Sequence, residues 1–245
     1  MDTFWYRIIQ DLQEAAAFKE LLHIVHGVFQ RDDGAYRGRR QELTLEDVAA
    51  HLKGEVAIAF CVNTKEELGY DRLARFICYD IDQRAEERLP IFRAVLEELG
   101  FEKAVFLTGG SSPGKAKIII CFRKPVPLRY ATALAEYVYE LTYKRDASLI
   151  PPKPTKGDLE VFPRPLSSGK HEAGVVRILG RNVGKNGPLE TPTDLSGVPL
   201  ESLSQIDPLS VERIDKIARR YMWEHRDSEA LPRTIQAMIE SQWTY

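Results

Sequence analysis

Long apolar runs are missing from this chain. Nowhere do residues 1–245 approach the roughly 18 consecutive apolar residues of a membrane span, so no membrane-spanning helix is expected. The opening Met1-Asp2-Thr3-Phe4-Trp5 lacks a basic segment followed by an apolar one, and the expected location is the cytoplasm. Cysteine is scarce too: Cys61, Cys78 and Cys121 are odd in number and each lies within an apolar run. They suit reduced core thiols rather than a disulfide framework, and their spacing is not that of zinc ligands, so no zinc is expected. A strong charge of either sign is also lacking. The net charge is −2, so any contact with nucleic acid has to come from local basic clusters. There is no internal repeat, heptad array or low-complexity tract. What remains is an ordinary globular composition, 44% hydrophobic and 29% charged, long enough for one large domain or two small ones.

Hydrophobic spacing places helices and strands in alternation. Phe4, Ile8, Leu12, Ala15, Phe18, Leu22 and Val25 predict an amphipathic helix within 3–26. A charged loop follows, Arg31 to Arg40, whose arginines and Tyr36 suit a phosphate or template grip or, equally, a solvated loop. Thr44 with Glu46 and Asp47 reads as a helix start, and Gly54 as its end. Val56–Val62 and Arg75–Ile81 read as strands, 84–99 as a helix stopped by Gly100, and Ala104–Leu107 and Ile118–Phe122 as a hairpin around a glycine-rich connection. Leu128–Tyr143 is helical, Pro151–Pro154 is a stiff break, and Leu159–Phe162 and Val175–Leu179 are strand-like. Val211–Tyr221 and Leu231–Trp243 are expected helices. The class is α/β (α+β).

Three segments carry chemistry. Asp80 and Asp82 stand two apart at the end of an apolar strand, so both carboxylates point to one face. Two like charges gain nothing there unless a cation joins them, and Mg²⁺ or Mn²⁺ is the oxygen-seeking cation that fits. Two solvated acids at a strand end are the plain alternative. Second, the hairpin Thr108-Gly109-Gly110-Ser111-Ser112-Pro113-Gly114-Lys115-Ala116-Lys117 offers small residues for close backbone approach, the Ser112 hydroxyl, and two ammonium groups that share a face. It is not a Walker A loop, because Ala116 and strand residues follow Lys115. Third, Asp158-Leu159-Glu160-Val161-Phe162-Pro163-Arg164 again alternates acids with apolar residues. From Lys153 to Lys185 seven basic residues stand against three acids. An acidic cluster beside a basic one is what metal-assisted phosphoryl or nucleotidyl transfer requires.

In this order the segments resemble the archaeo-eukaryotic primase superfamily, the primase-polymerases, in its branches from phages, mobile elements and defence systems. Tyr79-Asp80-Ile81-Asp82 is similar to the family's acidic strand, Ser111–Ile118 to its small-residue hairpin, and Leu159–Arg164 to its third acidic strand. His51-Leu52-Lys53-Gly54 resembles the H-L-x-G lead-in of those branches, and Val176-Arg177-Ile178-Leu179-Gly180-Arg181-Asn182 their R-L-P-G-R segment. The likeness spans roughly 44–185. It implies an RRM-like core at about 71–205, a smaller N-terminal αβ module at about 1–70, and a C-terminal helical extension at 206–245. It implies a DNA primase or DNA-directed polymerase that adds nucleotides from (d)NTPs to a 3′-hydroxyl on a single-stranded DNA template, with room for a helicase or other replication partner. Asp80, Asp82 and Glu160 would hold two Mg²⁺ or Mn²⁺ ions. Ser112, Lys115, Lys117 and Arg164 would bind the triphosphate, with Arg177 and Arg181 near it or near the template. One departure stands out: Lys117 occupies the position where the family usually has histidine. His171 is the nearest substitute in sequence, though a solvated loop histidine is its ordinary reading. The alternatives are a primase-like binding module that has lost its chemistry and a metal-dependent nuclease.

Overall fold

The structure, a computed structural model, describes residues 3–31, 34–36, 39–64, 73–109, 114–163, 175–181 and 189–225. The fold is mixed α+β, built on two antiparallel sheets. The first contains β1 (His26–Phe29), β2 (Gln41–Glu42), β3 (Ile58–Cys61) and β9 (Val175–Val176), in the order β2-β1-β3-β9. Helix α1 (Thr3–Leu21) precedes it and α2 (Leu45–Leu52) is inserted between β2 and β3. The start read at Thr44 is a capping box: the Thr44 hydroxyl accepts from the Asp47 amide at 3.1 Å and the Asp47 carboxylate accepts from the Thr44 amide at 2.9 Å. Such a cap contributes about 1 kcal/mol.

The second sheet holds β4 (Asn63–Thr64), β5 (Leu73–Ile81), β6 (Val105–Gly109), β7 (Ala116–Pro127) and β8 (Leu159–Phe162). With α3 (Ala85–Glu98) between β5 and β6, and α4 (Leu128–Arg145) between β7 and β8, the chain order is β-α-β-β-α-β. In space β8 flanks β5, β5 flanks β7 and β7 flanks β6, the split arrangement of RRM-like domains. Alternation along β5 sends Ile77, Tyr79 and Ile81 into a core with α3 and α4, including Phe92, Leu96, Leu134 and Val138. Phe76 and Cys78 turn the other way, into a core with Phe18, Ile58 and Phe60 of the first sheet and its helix. Each fully buried aromatic here contributes about 1.5–3 kcal/mol relative to an exposed one. The Tyr79 hydroxyl, buried among α4, donates to the Ala135 carbonyl at 2.8 Å.

Several sequence expectations shift in detail. The first helix ends at Leu21, because His23 adopts a left-handed φ of 50° and the chain turns back as β1; His26 is therefore a strand residue. The strand read over Val175–Leu179 keeps only Val175–Val176, since Leu179 and Gly180 both take positive φ. β9 pairs with β3, so a strand far along the chain completes the N-terminal sheet. Helix α5 (Val211–Glu224) packs on α4, burying Ile214, Ala218, Tyr221 and Met222. The helix expected at Leu231–Trp243 lies outside the described residues, as do Ser112, Arg164 and His171. Among the described residues no helix is long and apolar enough to cross a membrane. Cys61, Cys78 and Cys121 are buried free thiols, and burial pushes the thiols of Cys78 and Cys121 far up, so they stay protonated.

Candidate active site

Strand register brings the chemistry together. Thr108 on β6 stands opposite Lys117 on β7, Lys117 opposite Asp80 on β5, and Asp80 opposite Glu160 on β8. Directly opposed side chains in antiparallel strands have Cβ atoms about 4.5–5.5 Å apart, so these four form one polar rung. The rung beneath it is Phe106, Ile119, Cys78 and Phe162, all buried on the same face. Asp82 continues the face one step outward: its amide donates to the Asp158 carbonyl at 2.7 Å, which extends the β5–β8 ladder past Ile81. Glu160 and the Asp80/Asp82 pair thus lie side by side although about eighty residues separate them in sequence.

Gly114 and Lys115, which lead into β7, lie beside these acids. The Gly114 carbonyl accepts from the Ala85 amide at 3.1 Å, and Gly114 takes φ +80° with open space where a Cβ would sit. Lys115 donates to Asp82 at 2.6 Å, and the buried Lys117 ammonium lies 3.4 Å from Asp80. Burial raises the Asp80 pKa; Lys117 opposes this, while Asp82 and Glu160 push further up. The net direction is upward, so one ammonium does not offset burial plus two neighbouring carboxylates. The Gly157 amide donates to Glu160 at 3.1 Å. Asp158 is turned elsewhere: its carboxylate accepts from Arg88 at 2.6 Å, and Arg88 is anchored again by the Leu149 and Gln83 carbonyls.

Arg177 has a different setting from a phosphate-facing arginine. It is buried, paired with Glu190, and donates to the Leu179 carbonyl at 3.0 Å. Glu190 in turn accepts from the Thr108 hydroxyl at 2.6 Å, which links this pair to the polar rung. The Tyr36 phenol lies against the same pair: burial, opposed by Arg177 and reinforced by Glu190, raises its pKa to about 12. Sequence reading missed Glu190 and gave Thr108 no role beyond its place in the hairpin, because neither belongs to an acidic or basic pattern. Arg181 is exposed, and its Cβ lies 3.0 Å from where Gly54 would carry a side chain.

His51 and Gly180, from two separate quoted segments, interlock. The Ile58 amide donates to His51 Nδ1 at 3.0 Å, so the ring proton is on Nε2, which donates to the Ile178 carbonyl at 3.0 Å. Burial lowers the His51 pKa to about 4. Gly180 has φ +66°, and a Cβ there would sit 2.6 Å from both the His51 ring and the His51 carbonyl oxygen. His51 is a structural staple holding the loop that carries Arg177.

The acids gathered here, Asp80, Asp82 and Glu160, offer carboxylate oxygen alone, the ligand chemistry that Mg²⁺ and Mn²⁺ select. Two lysine ammonium groups stand in as cations. With the acids turned to these lysines, among the described residues no group of three or more His, Cys, Asp and Glu converges to hold a metal ion. The three acids suit such a metal in chemical kind, and the lysines compete with it for Asp80 and Asp82.

No family model matches the chain, and no curated protein sequence matches it. Several solved structures are similar in backbone, among them the following three. The archaeo-eukaryotic primase domain of the cyanophage S-2L primase-polymerase shares 12% identity over 84% of this chain and 97% of its own, with a TM-score of 0.46. The polymerase domain of Mycobacterium tuberculosis ligase D, solved with DNA, shares 17% over 85% and 87%, with a TM-score of 0.43. The catalytic domain of the primase RepB′, solved with initiator DNA, shares 14% over 89% and 99%, with a TM-score of 0.45.

Proposed function

We propose that this chain is a primase-polymerase catalytic domain that transfers nucleotides from (d)NTPs to a 3′-hydroxyl on a single-stranded DNA template. The observation that carries this reading is the polar rung: Asp80, Glu160 and Lys117 in direct register, with Asp82 and Lys115 one step outward on the same face. In this reading Asp80, Asp82 and Glu160 hold divalent metal, which when bound supplies Lewis acidity at the attacking and leaving oxygens. Lys115 and Lys117 bind the triphosphate as point charges, a task that needs positive charge on the same side of the sheet as the acids. Ser112 and Arg164 are assigned to the same triphosphate. Arg181, exposed next to Gly180, is assigned to the template or the polyphosphate. Arg177 supports rather than contacts substrate, since Glu190 engages its guanidinium.

The lysine-for-histidine change alters the protonation chemistry. Histidine is a group that changes charge near neutral pH, whereas lysine offers a compact ammonium on a flexible stem. The direct test is incubation with Mn²⁺, (d)NTPs and a single-stranded template, with primed and unprimed arms. The expected result is metal-dependent synthesis by the native chain and none by folded Asp80→Ala, Asp82→Ala or Glu160→Ala. Retained synthesis in any of these removes that carboxylate from the assignment. A second reading, a nucleotide- or nucleic-acid-binding module without chemistry, is favoured by the two lysines on the acids. Intact binding with no product under varied metals and templates supports it, and shortening of a labelled primer indicates a nuclease.

A further inference from the structure

Basic residues pair with acids in two distinct ways around this sheet. Arg88 and Arg177 are buried forks, each held by a carboxylate and also by backbone carbonyls, Leu149 and Gln83 for the first and Leu179 for the second. Such pairs are fixed parts of the scaffold, because leaving them strands several donors at once. Lys115 and Lys117 differ. Among the described residues, their side-chain polar contacts reach only Asp82 and Asp80. A compact ammonium on a flexible stem gives up one carboxylate for another anion without loss of hydrogen bonding, provided the new anion lies within the sweep of the stem. Lys117 on β7 stands opposite Asp80 on β5, and Lys115 and Asp82, each one residue beyond the paired ends of the same two strands, meet as a second pair.

We propose that Lys115 and Lys117 are tethered counter-ions that occupy the acidic face until a triphosphate draws them off, so that divalent metal and nucleotide bind as one coupled event. The proposal rests on the reading of the site given above. The metal and the ammonium groups compete for Asp80 and Asp82, whereas the triphosphate and these carboxylates compete for the ammonium groups. Each ligand therefore removes the obstacle to the other. The coupling is reciprocal: the factor by which nucleotide strengthens metal binding equals the factor by which metal strengthens nucleotide binding. Asp80 and Asp82 stay ion-paired in the resting protein, and metal alone is poorly retained.

The test counts bound Mn²⁺ by electron paramagnetic resonance of the free ion, with and without a non-hydrolysable (d)NTP analogue, at fixed pH. The native chain is expected to bind Mn²⁺ weakly alone and on the order of tenfold more tightly with the analogue, within the usual range of coupled sites. Lys115→Met is expected to bind Mn²⁺ alone on the order of tenfold more tightly than the native chain and to lose most of the gain from the analogue. Lys115→Arg keeps the charge and is expected to keep metal binding weak. Lys117→Met is the parallel variant at the buried position, and Lys115, whose side chain is one-third exposed, carries the test should that variant not fold. Unchanged or weaker Mn²⁺ binding by folded Lys115→Met without nucleotide overturns the proposal. If the native chain with analogue shows Mn²⁺ binding that Asp80→Asn abolishes, yet the lysine variant shifts nothing, only this inference falls. If no Asp80-dependent Mn²⁺ binding exists in any arm, the proposed function falls with it.

Discussion

Two adjacent rungs of one sheet face, built on the same four strands, are chemical opposites. Phe106, Ile119, Cys78 and Phe162 pack against the first sheet; Thr108, Lys117, Asp80 and Glu160, one step further along, do not. The backbone geometry of the two rungs is alike, so the difference comes from side chains alone. The lower rung is where burial stabilises the fold, because its neighbours are apolar and close-packed. The upper rung is where burial works against ionisation, and Asp80 shows it by its raised pKa. The transition takes place within one period of the strand. That places charged groups against a rigid floor, which holds reacting geometry better than a loop does.

The largest expected effect breaks the upper rung. Asp80→Asn keeps shape and hydrogen-bonding capacity but removes the charge that would hold metal, and template-directed synthesis is expected to fall at least about a hundredfold. Circular dichroism should show a folded protein. Residual synthesis within a few-fold of native sinks the metal role of Asp80. The lower rung breaks in the other currency. Phe106→Ala removes a fully buried ring and is expected to cost about 3–5 kcal/mol in denaturant unfolding. Below its melting transition the variant should retain Asp80-dependent chemistry; a stability loss under about 1 kcal/mol would show that the floor repacks freely.

Much of this was legible in the sequence, for identifiable reasons. Period-two spacing fixed the shared face of Asp80 with Asp82 and of Lys115 with Lys117, since alternation is a local property of a strand. Thr44 and Asp47 announced their helix by cap chemistry that needs no tertiary context. Register was not legible. That Asp80 faces Lys117 on one side and Glu160 on the other follows from which strands become neighbours, set by α3 and α4 packing on the opposite face. The same limit hid Glu190, thirteen residues beyond Arg177 in sequence and beside it in space. The lysines read as phosphate ligands, but their present partners did not. His51 and Gly180 were visible only as separate motif members; a side chain filling the space that a Cβ at Gly180 would take is what joins them.

The staple behind the upper rung adds a pH test. The His51 pKa is about 4 in the fold against an ordinary 6.5, so the folded state favours the neutral ring. Its contribution is fully present above 6.5 and is lost as pH falls toward 4. Glu136 acts oppositely: burial, reinforced by Glu140, raises it to about 7 from 4.5, so its contribution is present below 4.5 and lost as pH rises through 7. Between 4.5 and 6.5 the two slopes offset. Glu136→Gln should uncover the histidine slope, a loss on the order of 3 kcal/mol between pH 6.5 and 4 that adding His51→Gln removes. Equal pH slopes in the single and double variants would show that His51 is not the titrating group.

Thr108→Val is the mildest change and the sharpest for the border between the rungs. Valine matches the shape and β-propensity of threonine, so the strand and the floor beneath it are undisturbed. The hydroxyl is lost with its contacts to Glu190 at 2.6 Å and to the Gly109 carbonyl at 2.9 Å, and with it the side-chain link between the Arg177 pair and the rung that holds Lys117. A hydrogen bond to a charged acceptor contributes about 1.5–3 kcal/mol, and Glu190 keeps Arg177, so the expected stability loss is at the low end, about 1.5 kcal/mol. If the link also positions Lys117, nucleotide KM should rise while kcat for template-directed synthesis changes little. An unchanged KM with the same stability loss would confine the Arg177–Glu190–Thr108 chain to holding the two sheets together.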